Sequence, residues 1–226
     1  MRKIIVNLES ETERYQHFLR YNITAERLSP VPLDNEELLD LYGKTIRPNK
    51  SESKRKKEIS NLLTFRNIIK QAKSDNEKYV LRLEDDVEFI SDIEPVLKRI
   101  ESLPDEFALC HLGTYFRKSR NGFLTKYNEH FLELGTGLRT WGLQAIVFNN
   151  NIFDKILKDF EDKETYKRTL DYYIQTSIVG HYRCFVCYPI IALQKEEFVK
   201  NSMHKLRFDR KLYLESESVI NDYLKL

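Results

Sequence analysis

The chain has 226 residues, enough for one large domain or two small ones, and its hydrophobic fraction of 41% is typical of folded globular proteins. This composition excludes an intrinsically disordered chain. Positive and negative residues nearly cancel to a net charge of +2, which disfavours a nucleic-acid binder. Three cysteines are too few, and odd in number, for a disulfide scaffold, and this predicts a reducing compartment.

Apolar runs predict strands, and apolar residues at helical spacing behind a capping residue predict helices. In chain order, the predicted elements are a strand over 4–8, a helix over 10–19, a strand over 25–31, a helix over 34–41, a helix over 59–69, a strand over 79–83, a helix from 92, strands over 107–112 and 143–148, helices over 152–160 and 170–179, a strand over 185–193 and a helix over 219–224. Because strands and helices alternate through the first half, we expect a single α/β domain over residues 1–226 with a mainly parallel sheet.

Two long segments lack a regular period. Residues 43–57 are polar and basic, which favours a solvated loop and helix start over an anion-binding patch. Residues 113–137 mix basic, polar and aromatic side chains, and a loop of this length in a compact domain usually has a function. We therefore predict that residues 113–137 form a mobile loop, either on the acceptor side of the site or as a lid.

The start of the chain carries no pattern of a secretion signal. Met1-Arg2-Lys3 precedes only three aliphatic residues before Asn7, far less than the apolar core of a signal peptide. No apolar run approaches the roughly 20 residues that span a bilayer. We expect a cytoplasmic protein without a transmembrane segment, and a peripheral position at a membrane remains an alternative.

The most informative motif is the acidic triplet Glu84-Asp85-Asp86, directly after the apolar strand 79–83. In open α/β sheets, ligands bind at the carboxyl ends of the strands, where this triplet falls. If the chain remains extended, Glu84 and Asp86 point to one side and Asp85 to the other. Two carboxylates on one side suit a divalent cation that takes its remaining ligands from a substrate diphosphate. The alternative is an acidic turn after a strand. We expect Asp86 to be exposed to solvent.

The sequence contains neither of the common glycine-rich phosphate-binding motifs, and the whole chain has seven glycines. A phosphate ligand would therefore be bound through a metal ion or through Arg and Lys side chains. Metal-dependent glycosyltransferases use this solution, in which a cation stabilises the charge that develops on the leaving diphosphate.

The sequence resembles glycosyltransferase family 25, which contains lipopolysaccharide glycosyltransferases and collagen hydroxylysine galactosyltransferases. The features that carry the resemblance span about residues 4–202, and in chain order they are Ile5-Val6-Asn7-Leu8 with Arg14, Glu58-Ile59-Ser60-Asn61, Leu83-Glu84-Asp85-Asp86-Val87, Thr169-Leu170-Asp171, Tyr188-Pro189 with Gln194, and Ser202. The family usually has Ser-His where this chain has Ser60-Asn61. The resemblance implies a GT-A fold, a nucleotide-sugar donor that is most often a UDP-sugar, Mn²⁺ or a similar cation, and inversion at the anomeric carbon.

The same resemblance implies roles for individual residues. Asn7, Arg14 and Asp85 would bind the nucleotide-sugar donor, and Glu84 and Asp86 would hold the metal. Arg14 has an alternative interpretation as a solvated helix charge, and Asn7 as a hydrogen-bonding strand terminus. The acceptor would be a hydroxyl of a glycan, a lipid-linked saccharide or a protein.

An inverting transfer needs a base to take the proton of the acceptor hydroxyl, and Asp171 is our candidate. It precedes Tyr172-Tyr173, and aromatic rings are suited to covering the apolar face of a sugar. The alternative is a first-turn helix residue stabilised by the helix dipole. Trp141-Gly142 is a candidate lining of the acceptor site.

Cys184 and Cys187, close to His181, have a spacing that suggests a metal or redox site. In a strand, residues three apart face opposite sides, which favours buried structural cysteines. His204 is a candidate third metal ligand. Two rival functions remain open at this point: a nucleotidyltransferase, which would release pyrophosphate, and a non-catalytic glycan-binding or scaffold domain descended from a glycosyltransferase.

Overall fold

The computed structural model describes residues 1–45, 50–117, 123–135, 137–195 and 198. The helices of at least one full α-helical turn are α1 (Thr12–Leu19), α2 (Glu36–Lys44), α3 (Glu52–Ser74), α4 (Glu94–Arg99), α5 (Phe153–Asp159) and α6 (Leu170–Ser177). The strands are β1 (Arg2–Val6), β2 (Glu26–Leu28), β3 (Tyr79–Glu84), β4 (Val87–Phe89), β5 (Leu109–Arg117), β6 (Leu124–Lys126), β7 (Phe131–Leu134), β8 (Arg139–Asn149), β9 (Cys184–Cys187) and β10 (Ala192–Gln194). The predicted helix over 219–224, as well as Ser202 and His204, lies outside the described residues.

Eight strands form the central sheet in the order β2-β1-β3-β8-β5-β9-β7-β6. The pairs β1/β2, β1/β3 and β5/β9 are parallel, and β8 is antiparallel to both of its neighbours, β3 and β5. Within the described residues, only β7 and β8 run against the other six strands. The expected α/β class with a mainly parallel central sheet is confirmed.

The sheet buries apolar side chains on both faces. Along β3, Val80 belongs to the apolar cluster under α3, α5 and α6, whereas Leu81 and Leu83 belong to the cluster on the opposite face. Because successive side chains of a strand alternate between faces, Arg82 lies on the α3 face, where it is only 2% exposed. A charged residue is thereby buried two residues before the acidic triplet.

The prediction of a loop over residues 113–137 is largely wrong. β5 continues to Arg117, and β6 and β7 form a hairpin that extends the sheet beyond β9. In the folded chain, Phe131, Leu132 and Leu134 of β7 are buried, and their burial stabilises the hairpin. The segment is too short for its apolar pattern to predict this burial from the sequence. Residues 118–122 and 136 of the segment lie outside the described residues.

Several other elements differ from their predicted limits. The helix predicted over 59–69 begins earlier, at Glu52, so that the last part of the predicted loop over 43–57 is helical. The strand over 25–31 is shorter, since only Glu26–Leu28 pairs with β1. The strand over 185–193 is divided into β9 and β10, and β10 leaves the main sheet to pair with β4 in a separate two-stranded sheet. This second sheet brings Gln194 opposite Val87, next to the acidic triplet.

Among the described residues, no helix combines the length and the apolar character needed to cross a bilayer.

Candidate active site

The candidate site lies at the carboxyl ends of β1 and β3. These strands are parallel neighbours, with Val6 paired with Glu84, so the residues that follow them, Asn7 and Asp85, emerge side by side. β3 ends at Glu84, and Asp85 and Asp86 form a turn before β4. The condition of an extended chain through the triplet is therefore not met, and its three carboxylates contact three different sets of neighbours.

Asp85 accepts hydrogen bonds from Asn7 and Arg14, the two residues that we expect to bind the nucleotide sugar together with it. Asn7 Nδ2 donates to Asp85 Oδ2 at 2.8 Å, and Arg14 Nη1 donates to Asp85 Oδ1 at 2.9 Å. Arg14 also donates through Nη2 to the backbone carbonyl of Phe198 at 2.9 Å. Both oxygens of Asp85 thus have protein donors, so this carboxylate holds Asn7 and Arg14 together at the site.

Asn7 is itself oriented by a residue of the neighbouring strand. Arg27 on β2 donates from Nε to Asn7 Oδ1 at 2.9 Å, so the amide group of Asn7 presents its NH₂ to Asp85. The Arg27 guanidinium also packs on the ring of Tyr15, with 4.2 Å from its central carbon to the ring centroid. The alternative interpretation of Arg14 as a solvated surface charge does not agree with its pairing to a partly buried carboxylate.

Asp86 differs from its two neighbours because one of its oxygens has no partner. Gln194 Nε2 donates to Asp86 Oδ2 at 2.5 Å, whereas Oδ1 is buried and has no hydrogen-bond partner among the described residues. The residue is only 8% exposed, so the expectation that Asp86 is exposed to solvent is wrong. Burial raises the pKa of Asp86, and the Gln194 hydrogen bond acts in the opposite direction. A buried carboxylate oxygen without a donor is costly, and it fits a cation.

Glu84 extends toward the α3 face, where it meets Arg82. Arg82 Nη1 lies 3.3 Å from both Glu84 Oε1 and the carbonyl oxygen of Leu143, and its Nη2 donates to Asn61 Oδ1 at 3.0 Å. Burial, together with the negative charges of Asp86 and Asp171, raises the pKa of Glu84 to about 7, although Arg82 opposes this effect. Glu84 is therefore within electrostatic range of the other candidate metal ligand, Asp86, and of the candidate base, Asp171.

Asp171 lies in the first turn of α6. The N-cap residue of this helix is Thr169, whose hydroxyl oxygen accepts a hydrogen bond from the Tyr172 backbone N–H at 3.3 Å. Because Thr169 caps the helix, the Asp171 carboxylate is left to accept the Gly142 N–H at 3.2 Å. Gly142 has a φ of +94°, and a Cβ there would collide with the Gln144 side chain. Burial raises the pKa of Asp171, which makes its carboxylate a stronger base than a solvated one.

The fit of these residues to a divalent cation depends on how many ligands the chain must supply. Among the residues that the structure describes, no group of three or more His, Cys, Asp or Glu side chains converges as a metal cage. The unpartnered Asp86 Oδ1 nevertheless suits a cation that takes most of its ligands from water and a substrate diphosphate. The donor set therefore fits an ion bound together with substrate and does not fit a resident structural metal.

The residues that support the carboxylates were not assigned roles from the sequence. Asn61 and Gln194 appear in the family resemblance without a role, and Arg27 carries no local signal. Arg82 could have been found, since a lone charge inside the apolar strand 79–83 is exceptional and indicates a buried partner. Its partners are Glu84 and Asn61.

The cysteines are packed inside the protein. Cys110, Cys184 and Cys187 are all free and buried, and burial raises the pKa of each thiol. A buried thiol of raised pKa is a poor nucleophile and a poor metal ligand. The interpretation as buried structural cysteines is confirmed.

No protein-family model matches the sequence, and a comparison with curated proteins finds no match. Several solved structures are similar to this chain at low identity and with TM-scores below 0.5. A glycosyltransferase involved in the glycosylation of the major capsid of PBCV-1 is 10% identical, with a TM-score of 0.45 and coverage of 94% of this chain and 98% of the other. Mouse xyloside xylosyltransferase 1 is 10% identical, with a TM-score of 0.39 and coverage of 76% and 66%.

A third similar structure is described as a mannose-1-phosphate geranyltransferase from Thermus thermophilus. It is 12% identical, with a TM-score of 0.44 and coverage of 82% of this chain and 72% of the other. At these identities the likeness concerns the course of the backbone and not the chemistry of the site. The structures to which this chain is similar thus include glycosyltransferases.

Proposed function

We propose that the protein is a metal-dependent inverting glycosyltransferase of the GT-A type, similar to family 25, that transfers a sugar from a nucleotide diphosphate sugar to a hydroxyl group. The proposed donor is a UDP-sugar, and the proposed acceptor is a glycan, a lipid-linked saccharide or a protein. The proposed cation is Mn²⁺ or a similar divalent ion. Residues 1–226 would act as one catalytic domain in the cytoplasm.

One observation carries this proposal. A buried carboxylate oxygen without a partner among the described residues, Asp86 Oδ1, lies at the carboxyl end of β3, and Asp86 and Asp171 are both within electrostatic range of Glu84. Ligands of open α/β sheets bind at this edge. A sugar transfer from a diphosphate requires a cation beside the leaving group and a separate carboxylate for the attacking hydroxyl, and this arrangement is compatible with both requirements.

The proposed roles are those that the family resemblance implies, and the contacts of the described residues support them. Asp86 and Glu84 would hold the cation, which supplies charge stabilisation for the departing diphosphate. Asn7, Arg14 and Asp85 form one hydrogen-bonded group that would bind the nucleoside side of the donor.

Asp171 would take the proton of the acceptor hydroxyl as its oxygen attacks the anomeric carbon. Its burial raises the pKa of its carboxylate, and this increases its strength as a base. The hydrogen bond from the Gly142 N–H to Oδ1 holds the carboxylate in a fixed orientation. Tyr172, which is half exposed beside it, offers a ring face to an acceptor sugar.

The test is a screen of nucleotide sugars with Mn²⁺ for slow hydrolysis of the donor, which requires no knowledge of the acceptor. A glycosyltransferase releases a nucleoside diphosphate and free sugar, and the activity disappears with a chelator. Release of pyrophosphate from a nucleoside triphosphate and a sugar phosphate would indicate a nucleotidyltransferase instead. Glycan binding without turnover of any donor would indicate a non-catalytic domain.

A further inference from the structure

The side chain of Gln194 contacts the Asp86 carboxylate directly, and it engages one oxygen only. Gln194 Nε2 donates to Oδ2 at 2.5 Å, and Oδ1 is buried without a partner among the described residues. A carboxylate with one oxygen held by a donor cannot rotate freely, so the position of the second oxygen is set by the first. The hydrogen bond to Oδ2 therefore also fixes the position of Asp86 Oδ1.

The backbone of the same segment reinforces this orientation. The N–H of Lys195 donates to the Asp86 carbonyl oxygen at 2.7 Å, so both the main chain and the side chain of Asp86 are fixed from β10 and the residue after it. β10 itself is held by its antiparallel pairing with β4, in which Ala192 faces Phe89 and Gln194 faces Val87. Since this pairing uses backbone groups, β10 stays in place when the Gln194 side chain is changed.

We propose that Gln194 is a positioning residue that orients the Asp86 carboxylate so that Oδ1 faces the cation bound with the donor diphosphate. This inference rests on the proposed function and names a residue to which that function assigns no role. The amide nitrogen of Gln194 is directed to Asp86 Oδ2, and an amide N–H donor is not a metal ligand. Gln194 acts through Asp86, as residues that hydrogen-bond to metal ligands generally do.

The choice of an amide is significant chemically. An amide NH₂ donates to the carboxylate without carrying charge, so Asp86 keeps its full negative charge for the cation. A Lys or Arg at the same place would neutralise Asp86 and compete with the cation. A glutamate at this position would place a second carboxylate next to that of Asp86, and the two negative charges would repel each other.

The test compares Gln194→Met, which keeps the size of the side chain but cannot donate, with Gln194→Glu. The matched control is Gln71→Met, since Gln71 Nε2 donates to Asp75 Oδ1 at 2.8 Å on an exposed helix end. Mn²⁺ binding is measured on the full chain by titration calorimetry in the presence of UDP. Melting temperature without metal is measured alongside. We expect both Gln194 variants to bind Mn²⁺ about 10- to 100-fold more weakly, the usual effect of losing a partner of a metal ligand.

The supporting result is a loss of Mn²⁺ affinity in both Gln194 variants, an unchanged affinity in the Gln71 control, and a metal-free melting temperature within a few degrees of the parent. Excess Mn²⁺ should then restore the turnover of Gln194→Met, which a general structural defect would not allow. Mn²⁺ affinity in Gln194→Met equal to that of the parent overturns the inference and leaves the proposed function standing. A parent protein that binds no Mn²⁺ with UDP overturns both.

A parallel fall in metal-free melting temperature in both Gln194 variants, with no recovery at high Mn²⁺, also overturns the inference, because it assigns Gln194 a role in folding alone.

Discussion

Replacing Asp171 by Asn removes a negative charge and a basic site while it retains the shape of the side chain. The Gly142 N–H now donates to Asp171 Oδ1, and the amide oxygen of Asn accepts the same hydrogen bond. The structural cost is therefore small, at most about 1 kcal/mol for one exchanged hydrogen bond. Loss of general base help lowers transfer by about 10²-fold or more, which corresponds to roughly 2.7 kcal/mol of activation free energy.

A second consequence of Asp171→Asn concerns Glu84. The charge of Asp171 is one of the causes that raise the pKa of Glu84 to about 7, so its removal moves the pKa of Glu84 downward. In its proposed role as a cation ligand, Glu84 must be ionised to bind. The pH at which Mn²⁺ binding is half complete should therefore shift to lower values in Asp171→Asn, while transfer is slow at every pH.

The assay measures sugar transfer at saturating donor and, separately, the affinity for the donor with Mn²⁺. Donor affinity should stay within a few-fold of the parent, since a base acts in the transition state and contributes little to donor binding. The control is Asp154→Asn, because Asp154 occupies the same second position of α5 and is 79% exposed. Near-parental transfer by Asp171→Asn, or a loss of donor affinity in proportion to the loss of rate, would refute the assignment of Asp171 as the base.

The other predictions concern the buried carboxylates and the sheet. Asp86→Asn should abolish metal-dependent turnover while the melting temperature stays equal or rises, because a buried charge is costly and the amide is not; a lower melting temperature measured by circular dichroism would contradict this. Burial raises the pKa of Glu84 in the folded state to about 7, above its value in the unfolded chain. The metal-free parent should therefore lose stability relative to Glu84→Gln as the pH rises from about 5 through 7, because the unfolded chain releases its proton first. Urea unfolding at several pH values measures this difference. The amides of Phe131–Leu134 should exchange slowly with or without donor and Mn²⁺, since β7 is paired on both sides; rapid exchange that slows only with donor would restore the lid hypothesis.

The elements nearest the site could be predicted because each has a strong local pattern. The aliphatic run before Asn7 and the apolar run before Glu84 identify β1 and β3, and their carboxyl ends are where an α/β sheet binds ligands. Thr169 and Asp171 likewise mark the start of α6. Local hydrophobic periodicity is sufficient for such elements, because each buries one continuous apolar stripe.

The hairpin of β6 and β7 could not be predicted in this way. Its strands are short, and they are stable only because Phe131, Leu132 and Leu134 are buried against β9, which lies about fifty residues later in the chain. The antiparallel direction of β8 could not be predicted either. Its apolar sequence is equally compatible with parallel and with antiparallel pairing, and only the folded chain places it antiparallel between β3 and β5.

The amino-acid sequence is sufficient to predict that carboxylates follow β3 and that Asp171 lies at the start of a helix. The contacts of each carboxylate depend on the folded chain. The turn at Asp85 and Asp86 sends Asp85 to Asn7 and Arg14, Asp86 to Gln194 and Glu84 to Arg82. The physical reason is that the charge and availability of a carboxylate depend on its burial and on its hydrogen-bond donors, and most of these donors come from segments far away in the chain.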